Sequence, residues 1–172
     1  MSDAPDTPLA QPLTLPCGAT LKNRIAKSAM SDSLGDGAGN PTDDQIRLYE
    51  RWARGGLALS IIGEVQGTAN FAEKPGNLVV NNNSDRDQLE RLAKAGATDG
   101  AQLWPQLGHA GAMADAPIST PKGPSALDLP GLTCGAFSVE DIQALPAEFA
   151  RTAKLAKQLG FGGVELHAAH GF

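Results

Sequence analysis

Cysteine is scarce in this chain. Cys17 and Cys134 are the only two, they lie far apart, and neither sits in the paired spacing of a zinc site or a disulfide framework. Long apolar runs are also missing. The longest pieces, such as Leu57 to Ile62, fall well short of the ~20 residues that a membrane span needs, so no membrane association is expected. The opening stretch MSDAPDTPLAQ has neither the basic nor the apolar segment of a secretory signal. No basic stripe exists either: 14 Lys and Arg against 19 Asp and Glu leave a net charge of −5, which excludes the usual footprint of a nucleic-acid binder. A Gly-rich dinucleotide fingerprint is absent too. Together these absences predict a cytoplasmic protein with neither a nucleic-acid nor a membrane partner.

What is present describes an ordinary globular chain. Its 172 residues suffice for one domain with a core, and 41% hydrophobic against 19% charged residues argues against wholesale disorder. The 20 Gly and 12 Pro imply many tight connections.

Residues 1–11 read as a polar, disordered tail. Leu13-Thr14-Leu15 and Ala19-Thr20-Leu21 alternate around Pro16-Cys17-Gly18, the pattern of a β-hairpin. Asn23 to Met30 reads as the first main strand, followed by a Gly/Asp-rich loop. Thr42-Asp43-Asp44-Gln45 has the form of a capping box, with Ile46, Tyr49, Trp52 and Ala53 at helical spacing behind it and Gly55-Gly56 as the stop. Leu57 to Ile62 is the near-continuous apolar run of a strand buried on both faces, hence of a parallel sheet. A second helix is expected after Ser84-Asp85, with Leu89, Leu92 and Ala93 inward.

Ala101 to Leu107 reads as the third strand, Gln102, Trp104 and Gln106 on one face and Leu103, Pro105 and Leu107 on the other. Pro105 removes a ladder donor, which predicts a bulge or an irregular end there. Residues 108–137 form an expected irregular insertion, of a length usually reserved for lids and binding loops. A third helix starts at Ser138, with Ile142, Leu145, Phe149, Ala153, Ala156 and Leu159 as its buried stripe and a break at Pro146. Val164 to Leu166 is the fourth strand. By the period of two, Glu165 and His167 share one of its faces, and His170 follows where the strand ends.

A hairpin followed by β-α-β-α-β-α-β is half of a (β/α)8 barrel, which takes about 250 residues when whole. Carboxyl ends of parallel strands are where such folds bind ligands, so paired imidazoles there are placed for chemistry. His109, His167 and His170 could also be read as a three-histidine zinc set of a metal-dependent hydrolase. No metal-binding carboxylate motif accompanies them, and no metal is assigned. Trp52 and Trp104 read as packing residues, and Glu165 as a hydrogen-bonding residue of the barrel interior.

Leu21-Lys22-Asn23-Arg24-Ile25-Ala26-Lys27-Ser28-Ala29-Met30, Arg54-Gly55-Gly56-Leu57, Gln106-Leu107-Gly108-His109-Ala110-Gly111, Gly123-Pro124-Ser125-Ala126 and Gly160 to Gly171, in that order, resemble the Old Yellow Enzyme family of FMN-dependent ene-reductases and NADH:flavin oxidoreductases. The likeness covers residues 12–172 and corresponds to the N-terminal half of the family's single FMN-binding TIM-barrel domain. It implies FMN at the carboxyl ends of the strands, reduced by NADH or NADPH, with hydride then passed from flavin N5 to an activated alkene, an α,β-unsaturated carbonyl or nitro compound.

By position, the resemblance places the backbones of Ala29 and Met30 against the flavin, the Ser31 hydroxyl at its O4 edge, Gln106 at its pyrimidine end and the backbone of Gly63 and Glu64 close by. His167 and His170 match the pair that binds the substrate's oxygen, where two N–H donors stabilise developing negative charge. Phe172 and Ala112 depart from the pattern, standing where a proton-donating Tyr and an Arg are frequent. As half a barrel the 172-residue chain is expected to be incomplete and to bind FMN poorly alone, with a homo-oligomer of two half-barrels as a rescue and an inactive fragment as the alternative.

Overall fold

A computed structural model describes residues 7–170. The hairpin is present as β1 (Leu13–Thr14) and β2 (Thr20–Leu21), paired antiparallel. Pro8–Ala10 form a 3-10 turn whose Leu9 carbonyl accepts from the Arg24 amide at 2.9 Å, so residues 8–10 of the expected tail are tied to the hairpin's exit.

The main sheet is parallel, in the order β3 (Ala26–Met30), β4 (Leu59–Gln66), β5 (Gln102–Gly108) and the fourth strand Glu165–Leu166. Between them run helices α1 (Asp43–Arg54), α2 (Arg86–Gly96) and α3 (Val139–Gln158). Every residue of β4 is buried, as its apolar run requires. Its helix-side residues Ile62 and Val65 join Leu103 and Leu107 of β5, Tyr49 of α1 and Leu89 and Leu92 of α2 in the main core. Leu21, Ala58, Leu59 and Ile61 form a second cluster, against which the hairpin packs and closes the amino end of the sheet.

Thr42 caps α1 by accepting from the Gln45 amide, but the reciprocal half of the expected box is not made. The Gln45 side chain turns instead to Asp32, donating at 2.9 and 3.0 Å, and Tyr49 donates to the same carboxylate at 2.8 Å. This fixes the loop after β3 onto α1. The irregularity expected at Pro105 lies on the neighbouring strand: Ile62 pairs with Pro105 and Val65 with Leu107, so Gly63-Glu64 forms the bulge, with Glu64 at φ +56°. Pro105 itself stays in register. The carbonyls of Leu103 and Leu107 accept from Gly162 and His167 on the far side of β5, so the donor that Pro105 lacks is missing from that side. Pairing with the fourth strand accordingly begins only at Gln106.

Two further expectations are corrected. Residues 108–137 carry a small sheet, β6 (Lys122–Gly123), β7 (Leu127–Leu129) and β8 (Leu132–Ala136), in the order β6-β8-β7, and the fourth main strand is therefore β9. The segment leading to it is fastened to the loop after β4 by Asp115 to Ala72 (2.9 Å) and Thr120 to Asn70 (3.2 Å). Secondly, α3 runs unbroken through Pro146. A complete Ser138/Asp141 capping box starts it, buried Thr152, Leu155 and Ala156 hold it, and Pro146 lies on an exposed turn. The expected stripe is buried only in part: Ala156 and Leu159 are inside, whereas Ile142 is 42% exposed.

Candidate active site

Ala29, Met30, Ser31, Gly63, Glu64, Gln106, His167 and His170 gather toward the carboxyl ends of the four parallel strands. Met30 ends β3, and Ser31 follows it. Their backbones lie so close to β4 that a Cβ on Gly63 would stand 2.4 Å from the Met30 carbonyl carbon and 2.7 Å from the Ser31 nitrogen, which only glycine permits. Ala29 is half-buried and Met30 exposed. The Ser31 hydroxyl accepts from Asn77 Nδ2 at 3.1 Å, which leaves its own proton for another acceptor.

Asn77 was invisible as a site residue in the sequence. It sits in the polar loop after β4, yet it is buried, and the same amide group donates to the Glu64 carbonyl at 3.1 Å. Gly76 beside it presses on Ser33, where an added Cβ would meet backbone at 2.6 Å. A Gly-Asn pair within a turn is too common a signal to have marked it.

Gln106 projects from the face of β5 opposite the main core, as the alternation predicts. Its Oε1 accepts from the Glu64 amide at 3.4 Å and its Nε2 donates to Glu165 Oε1 at 2.8 Å. One amide proton and one lone pair remain for a ligand. His167 is held through its amide, which donates to the Leu107 carbonyl at 2.9 Å. Its ring Nε2 lies 2.8 Å from His170 Nδ1, the rings nearly perpendicular at 85°. One proton bridges these two nitrogens, and a ligand oxygen entering between them must replace that bond.

The Glu64 carboxylate is the unexpected member, since the sequence pointed only to its backbone. Its Oε1 stands 3.4 Å from His167 Nε2 and its Oε2 accepts from Gln66 Nε2 at 3.4 Å. Burial, together with repulsion from Glu73, pushes this carboxyl above the usual range, while the histidines and Gln66 pull the other way.

His109 directly follows β5, but its ring packs among aromatic side chains and not with the other two histidines. Its ring stacks on Phe71 at 4.3 Å and meets Phe137 edge-on at 5.5 Å, and its Nδ1 accepts from the Gly111 amide at 3.1 Å. Burial holds it below the usual imidazole range, which favours the uncharged ring. Three histidines therefore do not converge; the one cluster of metal-ligating side chains found among the described residues is Glu64, His167 and His170. Trp104 packs against the second core cluster with its indole N–H on Gln102, and Trp52 packs on the main core. Phe172 lies outside the described residues.

Residues 8–172 match the model of the NADH:flavin oxidoreductase / NADH oxidase family. The chain belongs to this family. It is 34% identical over 186 residues to the NADH-dependent flavin oxidoreductase iliE of Hypocrea jecorina (strain QM6a), covering 94% of this chain and 46% of that one. It is 30% identical over 169 residues to the NADH:fumarate oxidoreductase of Klebsiella pneumoniae (strain 342), covering 94% and 18%. The solved structure of Old Yellow Enzyme from Pichia sp. AKU4542 superimposes with a TM-score of 0.86 at 23% identity, covering 97% of this chain and 47% of that one. The fold is thus half of a (β/α)8 barrel, and the chain spans about half the length of the first of these relatives.

FMN and a nicotinamide nucleotide are the cofactors that go with the family. The donor set fits a flavin ring: a hydroxyl with a free proton at Ser31, an amide with a free donor and a free acceptor at Gln106, and a glycine at the closest backbone approach, all at one end of the sheet. Among the described residues no helix is long and apolar enough to cross a membrane.

Proposed function

We propose that this chain supplies the flavin-ring and substrate-oxygen contacts of an oxidoreductase that moves hydride from NAD(P)H to an activated alkene, an α,β-unsaturated carbonyl or nitro compound. Bound FMN supplies the hydride-transfer chemistry between the two substrates. Ala29, Met30, Gly63 and the Glu64 amide form the backbone wall beside the ring, while Ser31 and Gln106 offer it hydrogen bonds. The observation that carries the reading is the facing of His167 Nε2 and His170 Nδ1 at 2.8 Å, just after the strand that pairs with Gln106 and Leu107. Such a pair grips one oxygen, and its N–H groups stabilise the enolate-like charge that hydride addition places there.

Residues 12–172 then belong to one FMN-binding domain, and residues 108–137 line its mouth. Reconstitution with FMN of this half-barrel joined to a complementing second half of the barrel tests the proposal. The protein is expected to retain flavin through gel filtration, to bleach with NADH or NADPH under anaerobic conditions, and to recover its absorbance on addition of a cyclic enone. Protein that stays colourless, or bleached flavin that the enone leaves reduced, contradicts it.

A further inference from the structure

A hydrogen-bond donor must carry its proton on the nitrogen that faces the acceptor, and a neutral imidazole has only one proton to place. Nothing within the ring decides where it goes. A neighbour that can only accept does, and among the described residues Glu64 is such a neighbour. Its carboxylate Oε1 stands 3.4 Å from Nε2 of His167, the nitrogen that also faces His170.

Glu64 is in turn held on every side. Its amide donates to Gln106, its carbonyl accepts from Asn77, its second carboxylate oxygen accepts from Gln66, and the residue is 8% exposed. The bulge at Gly63-Glu64 and the positive φ of Glu64 are the backbone features that turn this side chain toward β9. A strained, non-glycine bulge beside a ligand site is better explained by the aim of its side chain than by the sheet, which would close more easily without it.

We infer that Glu64 is the positioning residue of the histidine pair: its carboxylate keeps the proton of His167 on Nε2 and so makes that nitrogen the standing donor to the substrate oxygen. His170 Nδ1 then accepts from His167 when no substrate is present; the incoming oxygen takes over the same Nε2–H, and His170 turns its own N–H to that oxygen to complete the pair. In this role the Glu64 carboxylate touches neither substrate nor flavin, although the amide of the same residue lies in the wall beside the ring. The inference deepens the proposed function and rests on it for its kinetic consequence, but not for the tautomer itself.

The test is long-range ¹H–¹⁵N NMR of the histidine side chains in the flavin-loaded protein at alkaline pH, on wild type, Glu64→Gln and Glu64→Leu. Wild-type His167 is expected wholly as the Nε2–H form, and both variants as a mixture with the Nδ1–H form. Stopped-flow adds a readout that a merely structural role would not split: the enone half-reaction is expected to slow about 10- to 100-fold, the range typical for residues that orient a functional histidine, and flavin reduction by NAD(P)H to slow by a clearly smaller factor.

A His167 that remains wholly Nε2–H in both variants, or that is Nδ1–H in wild type, overturns the inference. So do two half-reactions that slow equally. Failure of the proposed function looks different: His167→Ala would leave the enone half-reaction at its wild-type rate, while the tautomer measurement would still decide the role of Glu64.

Discussion

The two walls of the candidate site are built very differently. On one side, β4 and β5 share a long parallel ladder, every residue of β4 is buried, and Glu64 and Gln106 are bonded to each other and to Asn77, Gln66 and Glu165. On the other, His167 and His170 follow a two-residue strand whose Leu166 is 62% exposed, with α3 above it burying only part of its apolar stripe. Rigid elements hold their side chains to a fraction of an ångström, whereas an edge strand holds its groups only through its few bonds. Glu64 and Gln106 are therefore the fixed part of this site and the histidine pair the adaptable part.

That contrast can be broken by mutation. The largest effect is expected for Leu103→Ala, which empties a fully buried position between β5 and the helices and costs about 2–5 kcal/mol, measured by urea unfolding. A cost below about 1 kcal/mol would mean that the supposed rigid wall is loosely packed. Gly63→Ala comes next, at about 1–3 kcal/mol, because its Cβ would be driven into the Met30 and Ser31 backbones and must push β3 from β4. Leu166→Ala on the soft wall should stay within about 0.5 kcal/mol, given its exposure.

His109 sharpens the contrast through pH. Its folded-state imidazole is held below the usual range by burial, so the unfolded chain binds its proton first as pH falls. Stability that His109 contributes is then present above the unfolded value of about 6.5 and is lost as pH drops through the lowered folded value. His109→Gln should flatten the dependence of Tm on pH between about 5 and 7. An unchanged slope would show that this ring accepts its proton without cost.

Much of the fold was legible because local chemistry and final environment agree. Thr42 and Ser138 cap their helices, Leu89 and Leu92 face inward, and Gln102, Trp104 and Gln106 alternate with Leu103, Pro105 and Leu107 as the period of two requires. What misled was information held by neighbours. Pro146 reads as a helix break only if nothing else stabilises the helix, and the bulge expected at Pro105 appears on β4, which the sequence does not show to be adjacent. The short strands β6 to β8 are too small to alternate visibly. Within the site, the histidine pair and Gln106 were legible as side chains. Glu64 was legible only as backbone, because the turn of its carboxylate toward His167 depends on a φ that composition does not reveal.

The most direct measurement is a pair of anaerobic stopped-flow traces on the flavin-loaded protein and its His167→Ala/His170→Ala variant. If the pair grips the substrate oxygen, flavin reduction by NAD(P)H keeps at least half its wild-type rate while reoxidation by the enone slows by at least 100-fold, about the ~2.7–4 kcal/mol that one lost oxyanion donor costs. Reoxidation at the wild-type rate would contradict the placement of substrate at these two histidines.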